Sequence, residues 1–137
     1  MCPINTVVCI KPVPDSRYWD RLSLDPKTKT LVREGIPIVI SPMDKNAIEE
    51  ALRIRQARGG KVTVVSMGPL NTESILRSAY ALGVDDAVLL TDRTFAGADT
   101  LATAQTLAAG IRRLVARGMI GCEFAVVCGM QSPDGDT

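Results

Sequence analysis

The sequence contains no histidine, which removes Ser-His-Asp, Cys-His and His-Glu-x-x-His chemistry from the chain taken alone. It has no surplus of charge either: 16 basic and 15 acidic residues leave a net +1, without any block of like charge, and aromatics make up only 4%. A nucleic-acid binder needs a basic footprint and residues that stack on bases, and neither is present. No apolar run approaches the roughly 18 residues of a membrane span, and residues 1–6 are too short and too polar for a signal peptide. A cytoplasmic protein without membrane insertion is therefore expected. Cysteines are few, at positions 2, 9, 122 and 128, and none has the C-x-x-C spacing of a zinc or redox site, so neither a metal centre nor a disulfide framework is expected. Cys9 and Cys128 sit inside apolar runs, where a free thiol behaves as a small hydrophobe. No catalytic residue is assigned, and any redox chemistry must come from a cofactor.

What is present is a core. Hydrophobic residues make up 46% of 137, enough for about one α/β domain. Four short apolar runs rich in β-branched residues, at 5–10, 61–67, 86–91 and 123–128, alternate with segments of helical period, the pattern of βαβ units on a mainly parallel sheet with helices on both faces. After the first run, Lys11-Pro12-Val13-Pro14-Asp15 carries two prolines in three residues and should continue neither strand nor helix. Residues 16–40 read as an excursion off the main sheet: a β-hairpin formed by 22–24 and 30–32 around Asp25-Pro26-Lys27-Thr28-Lys29, then an extended stretch at 35–40.

The helices have legible ends. Ser41-Pro42 gives an N-cap hydroxyl and a proline at the first helical position, with Asp44 in the first turn. Ala47, Ile48, Ala51, Leu52 and Ile54 then recur on one face, and Gly59-Gly60 stops the helix. Asn71-Thr72 can cap a second helix that turns Ile75, Leu76, Ala79 and Leu82 inward, closed by Gly83. A third runs from about Asp99 to Arg117 with Leu101, Ala104, Ala108, Ile111 and Val115 inward. The chain stops in a Gly/Asp-rich loop after a buried strand, with no helix to cover it. Residues 1–137 are thus expected to be one α/β domain, a fragment of a longer chain.

In open parallel sheets, ligands sit beyond the carboxyl ends of the strands. The loops there are Lys11 to Asp15, Ser66-Met67-Gly68-Pro69, 91–100 and 129–137, all rich in Gly, Pro, Asp or Ser/Thr. Each has a plainer use. Asp99-Thr100 suits an N-cap, Gly68-Pro69 ends a strand, Asp134-Gly135 is a common turn pair, and Cys9 and Met67 suit a core. Neither G-x-G-x-x-G nor G-x-x-x-x-G-K-[ST] occurs, so a nucleotide would be held by backbone amides and small side chains of several loops, aided by a helix N-terminus facing phosphate.

The stretches Val8-Cys9-Ile10-Lys11-Pro12-Val13-Pro14-Asp15, Ser41-Pro42-Met43-Asp44-Lys45-Asn46-Ala47-Ile48-Glu49-Glu50-Ala51, Val64-Val65-Ser66-Met67-Gly68-Pro69 and 129–137 resemble, in order and spacing, the beta subunit of electron transfer flavoproteins. The resemblance implies a Rossmann-like α/β domain, a heterodimer with an alpha subunit, and electron passage between flavoprotein dehydrogenases and an acceptor. It also implies a bound adenine nucleotide, AMP in the housekeeping branch or the adenylate end of a second FAD in the electron-bifurcating branch. Matching positions place contacts at Cys9, Lys11, Ser41, Pro42, Met43, Asp44, Met67, Gly68, Met130, Gln131, Asp134, Gly135, Asp136 and Thr137. The segment Asp92-Arg93-Thr94-Phe95-Ala96-Gly97-Ala98-Asp99-Thr100-Leu101-Ala102-Thr103 is similar to the D-R-x-F-x-G-A-D-T-x-A-T pattern of the bifurcating branch. It adds Gly97, Ala98, Asp99, Thr100 and Thr103 as cofactor contacts, favours FAD over AMP, and brings NAD(H) into view as an electron donor. There Gly97-Ala98 allow close backbone approach, whereas Asp99 would repel a phosphate and is assigned to a hydroxyl or a cap.

Two other readings compete. A nucleotide-sensing module similar to the universal stress proteins would need a glycine-rich phosphate loop after the fourth strand, where Gln131-Ser132-Pro133-Asp134-Gly135-Asp136 is acidic instead. A structural scaffold for the alpha subunit would carry an empty nucleotide site.

Overall fold

A computed structural model describes residues 2–29, 31–32 and 34–135; Thr30, Asp136 and Thr137, named above, lie outside the described residues. The strands are β1 (Asn5–Cys9), β2 (Pro12–Pro14), β3 (Ser23–Leu24), β4 (Leu31–Val32), β5 (Ile38–Ile40), β6 (Val62–Met67), β7 (Asp86–Leu90) and β8 (Phe124–Cys128). The helices are α1 (Pro42–Arg58), α2 (Glu73–Leu82) and α3 (Thr100–Ala116), with 3-10 turns at Ser16–Arg21, Leu70–Thr72 and Arg93–Phe95.

Four strands form the main sheet in the order β7-β6-β1-β8, every neighbour parallel. Alternation along the central strands divides the core. Val8, Val62 and Val64 face α1 and α2, meeting Ile48, Ala51, Ile75 and Ala79. Val7 and Val65 face the other way, against Ile111 and Leu114 of α3. Because β1 and β6 are covered on both faces, their apolar runs are continuous, as in doubly wound sheets. Ile48 and Ile75, each 1% exposed, contribute about 1.5–3 kcal/mol apiece through burial. This is the Rossmann-like α/β arrangement with helices on both faces. Among the described residues no helix is long and apolar enough to cross a membrane.

The excursion lies off this sheet: β3 and β4 form one antiparallel pair, and β2 pairs antiparallel with β5. The second pair departs from expectation, since Pro12-Val13-Pro14 was to continue no strand. Prolines are admitted where one side of a strand needs no donor; here Val13 lies opposite Val39, and the Asp15 N–H extends the pairing to the Pro37 carbonyl at 2.9 Å.

The third helix also differs in its first half. Ile111 and Leu114 are buried and Leu107 and Val115 pack beside them, but Leu101 is 66% exposed and Ala104 is also exposed. The helix begins beyond the carboxyl ends of the strands, where there is no sheet to pack against, so its apolar period outruns its core. Leu82 of α2 is exposed for a similar reason, at the helix's last residue.

Candidate functional site

The path from β1 to β6 to β7 steps outward on one side, and α3 then returns the chain past them to β8 on the other flank of β1. Strand order therefore reverses between β1 and β8, and the loops leaving their carboxyl ends part, opening the crevice in which doubly wound sheets bind ligands. Lys11 begins one loop and Gly129 the other.

Three segments are knitted together there. The Lys11 backbone N–H donates to Asp44 Oδ2 at 2.7 Å, and the Gly129 N–H donates to the same carboxylate. Lys11 Nζ donates to Asp134 Oδ1 at 2.8 Å and to Ser132 Oγ at 3.1 Å. Asp134 has a side chain only 1% exposed, while that of Lys11 is 41% exposed, so the ammonium sits at the rim with its carboxylate below. Asp44, in the first turn of α1, is buried. Burial pushes its carboxyl above the ordinary value; the Lys11 and Gly129 N–H groups and the Lys11 charge pull it back. Gly129 is required by this contact, because a Cβ there would overlap Asp44 Oδ1 and lie 3.2 Å from the Asp44 nitrogen.

Ser41 behaves differently from the cap expected of it. It precedes α1, but its side chain makes no capping hydrogen bond; it is 1% exposed, and its Oγ has no hydrogen-bond partner among the described residues. A buried hydroxyl without a partner costs about 1–3 kcal/mol, a feature the Thr6 and Thr72 hydroxyls share, and Ser41 lines neither cavity described below.

A cavity of about 240 Å³ lies against these groups, lined by Cys9, Ile10, Lys11, Asp44, Met67, Thr103, Leu107, Cys128, Gly129, Gln131 and Ser132. A second, of about 410 Å³, is lined by Met67, Gly68, Pro69, Leu70, Thr91, Asp92, Arg93, Phe95 and Ala96. Met67, at the end of β6, borders both. Ser66 fixes that end by donating its hydroxyl to the Ile10 carbonyl at 2.8 Å.

The structure thus brings Cys9, Lys11, Asp44, Met67, Thr103, Gln131 and Asp134 together, with Gly68 in the adjoining cavity. Pro42 and Met43 lie exposed on the outer turn of α1, Gly135 is exposed, and Met130 is 83% exposed. Gly97, Ala98, Asp99 and Thr100 are exposed and line neither cavity. Gly97 has φ +78°, a backbone turn that favours glycine, and no described residue comes within 4 Å of where a Cβ would stand. Asp99 caps α3, accepting from Ala102 N at 2.7 Å. Sequence reasoning passed over Gly129, Leu107 and Cys128, and also Asp92, Arg93 and Phe95. For Gly129 the signal was its place directly after a strand; Leu107 carried none beyond helical period.

Comparison with known proteins finds that residues 28–134 match the family model described as electron transfer flavoprotein domain. The chain is 53% identical over 135 residues to the electron transfer flavoprotein subunit beta of Thermoanaerobacterium thermosaccharolyticum, covering 98% of this chain and 48% of that one. It is 50% identical over 135 residues to the subunit of the same name from Clostridium acetobutylicum, with the same coverage, and 46% identical over 134 residues to protein FixA of Azotobacter vinelandii, covering 98% and 46%. The chain spans about half the length of these curated relatives.

Proposed function

This chain belongs to the electron transfer flavoprotein family, and from that premise we propose that it is the adenylate-binding portion of a beta-type subunit. In this reading it pairs with an alpha subunit, and the assembly passes electrons between flavoprotein dehydrogenases and an acceptor. The observation that carries the nucleotide assignment is the arrangement of Lys11, Asp44 and Asp134 around the strand-order reversal, beside a cavity walled by Cys9, Met67 and Leu107. A thiol, a thioether and an alkyl wall suit a flat purine. One ammonium set between two carboxylates leaves the pocket acceptor-rich, which suits ribose hydroxyls and an exocyclic amine better than phosphate. The unpartnered Ser41 Oγ adds a further hydroxyl close to the start of α1.

We favour FAD over AMP at this site. Small-molecule sites occupy about 300–1,000 Å³. The first cavity alone, about 240 Å³, is smaller than that, whereas the adjoining one of about 410 Å³ across Met67 extends it to dinucleotide scale. The second cavity carries Arg93 for phosphate and Phe95 for a ring face, next to Asp92. A bound flavin would supply electron storage in one- and two-electron steps, with NADH as a donor; this chain's residues would bind and orient it and shield it from water. The test is to denature the purified assembly and identify the released nucleotide by mass and absorbance. Two FAD per heterodimer is the expected result. One FAD with AMP would remove the FAD assignment and keep the adenylate site, and no nucleotide beyond a single FAD would remove both.

A further inference from the structure

Cys9 and Cys128 are register partners at the carboxyl ends of β1 and β8, so their side chains leave the same face of the sheet. Neighbouring strands lie about 4.7–4.9 Å apart, inside the roughly 4.4–6.8 Å Cα separation that a disulfide spans. The two thiols lie near enough for Cys128 to bear on the ionisation of Cys9, and both line the 240 Å³ cavity beside Lys11 and Asp44. Their access differs: Cys128 is exposed and Cys9 half-buried.

We propose that this pair is an oxidation site at which a hydroperoxide drives a reversible Cys9–Cys128 disulfide, and that closing it weakens nucleotide binding. The control part rests on the adenylate reading given above; the bond itself does not. In the first step the Cys128 thiolate attacks the terminal oxygen of the peroxide, the O–O bond breaks, and the leaving oxygen takes a proton, giving a sulfenic acid and water or an alcohol. In the second, Cys9 sulfur displaces the sulfenic hydroxyl, the S–S bond forms, and the Cys9 proton leaves with that hydroxyl as water. With hydrogen peroxide, two thiols lose two electrons in all and the peroxide becomes two waters. Cys128 acts first because it is exposed, whereas burial, with the nearby Cys128 and Asp44, pushes the Cys9 thiol up to about 12, leaving it neutral and a poor first nucleophile. Fixing the sulfurs about 2.05 Å apart turns both side chains away from their reduced positions in the cavity wall, directly before Gly129 and two residues before Lys11.

The test uses the protein carrying Cys2→Ser and Cys122→Ser, both exposed and outside the cavity, so that within residues 1–137 only this pair remains. After graded hydrogen peroxide and an alkylating quench, intact mass should show the loss of two hydrogens and no alkylation, reversed by dithiothreitol. Titration with AMP and FAD should show binding weakened about tenfold or more by oxidation, and unchanged by the same treatment in a further Cys128→Ser variant. Over-oxidation of Cys128 without a link would overturn the proposal. A link that leaves AMP and FAD affinity unaltered would overturn the control and keep the site. Formation of the link in a protein that binds neither nucleotide when reduced would locate the failure in the adenylate reading.

Discussion

Gly129 and Asp44 touch so closely that neither can change alone. Gly129→Ala would set a methyl against the Asp44 carboxylate and the start of α1, and overpacking of this kind costs about 1–3 kcal/mol. Urea unfolding should show that loss, together with weaker nucleotide binding; an unchanged midpoint would mean that the loop shifts freely. Asp44→Asn offers one oxygen where the carboxylate serves two N–H groups, from Lys11 and Gly129. One donor is then left facing an amide NH2, at about 1–3 kcal/mol, measurable by the same unfolding. Cys9 gives a pH signature. A thiol whose folded value is raised from 9.0 to about 12 contributes stability that is fully present below 9.0 and lost as pH rises toward 12. Stability should therefore fall more steeply across that window in the parent protein than in Cys9→Ala, and Cys9 should alkylate last of the four thiols at pH 8. Early labelling of Cys9 would contradict its burial.

Elements announced themselves where local chemistry and tertiary packing agreed. All four main strands were legible within one residue at either end: β1 and β6 because a strand covered on both faces has to be an apolar run, β7 and β8 because their runs are apolar although these edge strands are only partly buried, with Val126 of β8 exposed where a buried strand was expected. The start of α3 was legible from Asp99, which caps as expected, and the stop of α2 from Gly83 at φ +105°. Elements whose form depends on a neighbour were not: Pro12 to Pro14 became a strand only because β5 runs alongside, and Ser41, with every sign of a cap, keeps its hydroxyl turned away from the α1 amides. The excursion has a kinetic corollary. Ser23 and Leu24 are exposed, and their partner strand β4 has only two residues, so few apolar contacts protect its hydrogen bonds. Hydrogen exchange of residues 23–32 should outpace that of residues 62–65 by orders of magnitude, and equal protection would mean that something covers the hairpin.

At the scale of the molecule, the sequence pointed to the loops after four strands, and the two cavities lie against three of them and the Lys11 end of the fourth, but which residues line those cavities was not legible, because a cavity is a property of the whole fold. Leu107 sits deep in a helical pattern and reaches the pocket only because α3 starts beyond the sheet, while Gly97 to Thr100, which the sequence made conspicuous, stand outside both cavities. Lys11 and Asp134 are 123 residues apart in sequence, and the strands carrying their loops are adjacent. A ribosome adds about 5–20 residues per second, so β1 waits on the order of ten seconds after its own synthesis before β8 is made. Once β6 has been made, β1 has one side paired and the other bare until β8 follows, an open edge of the kind that recruits foreign strands. Newborn chain is thus open on the flank that later holds the candidate pocket, and the salt bridge between Lys11 and Asp134 doubles as a timestamp: wherever it exists, β8 has arrived.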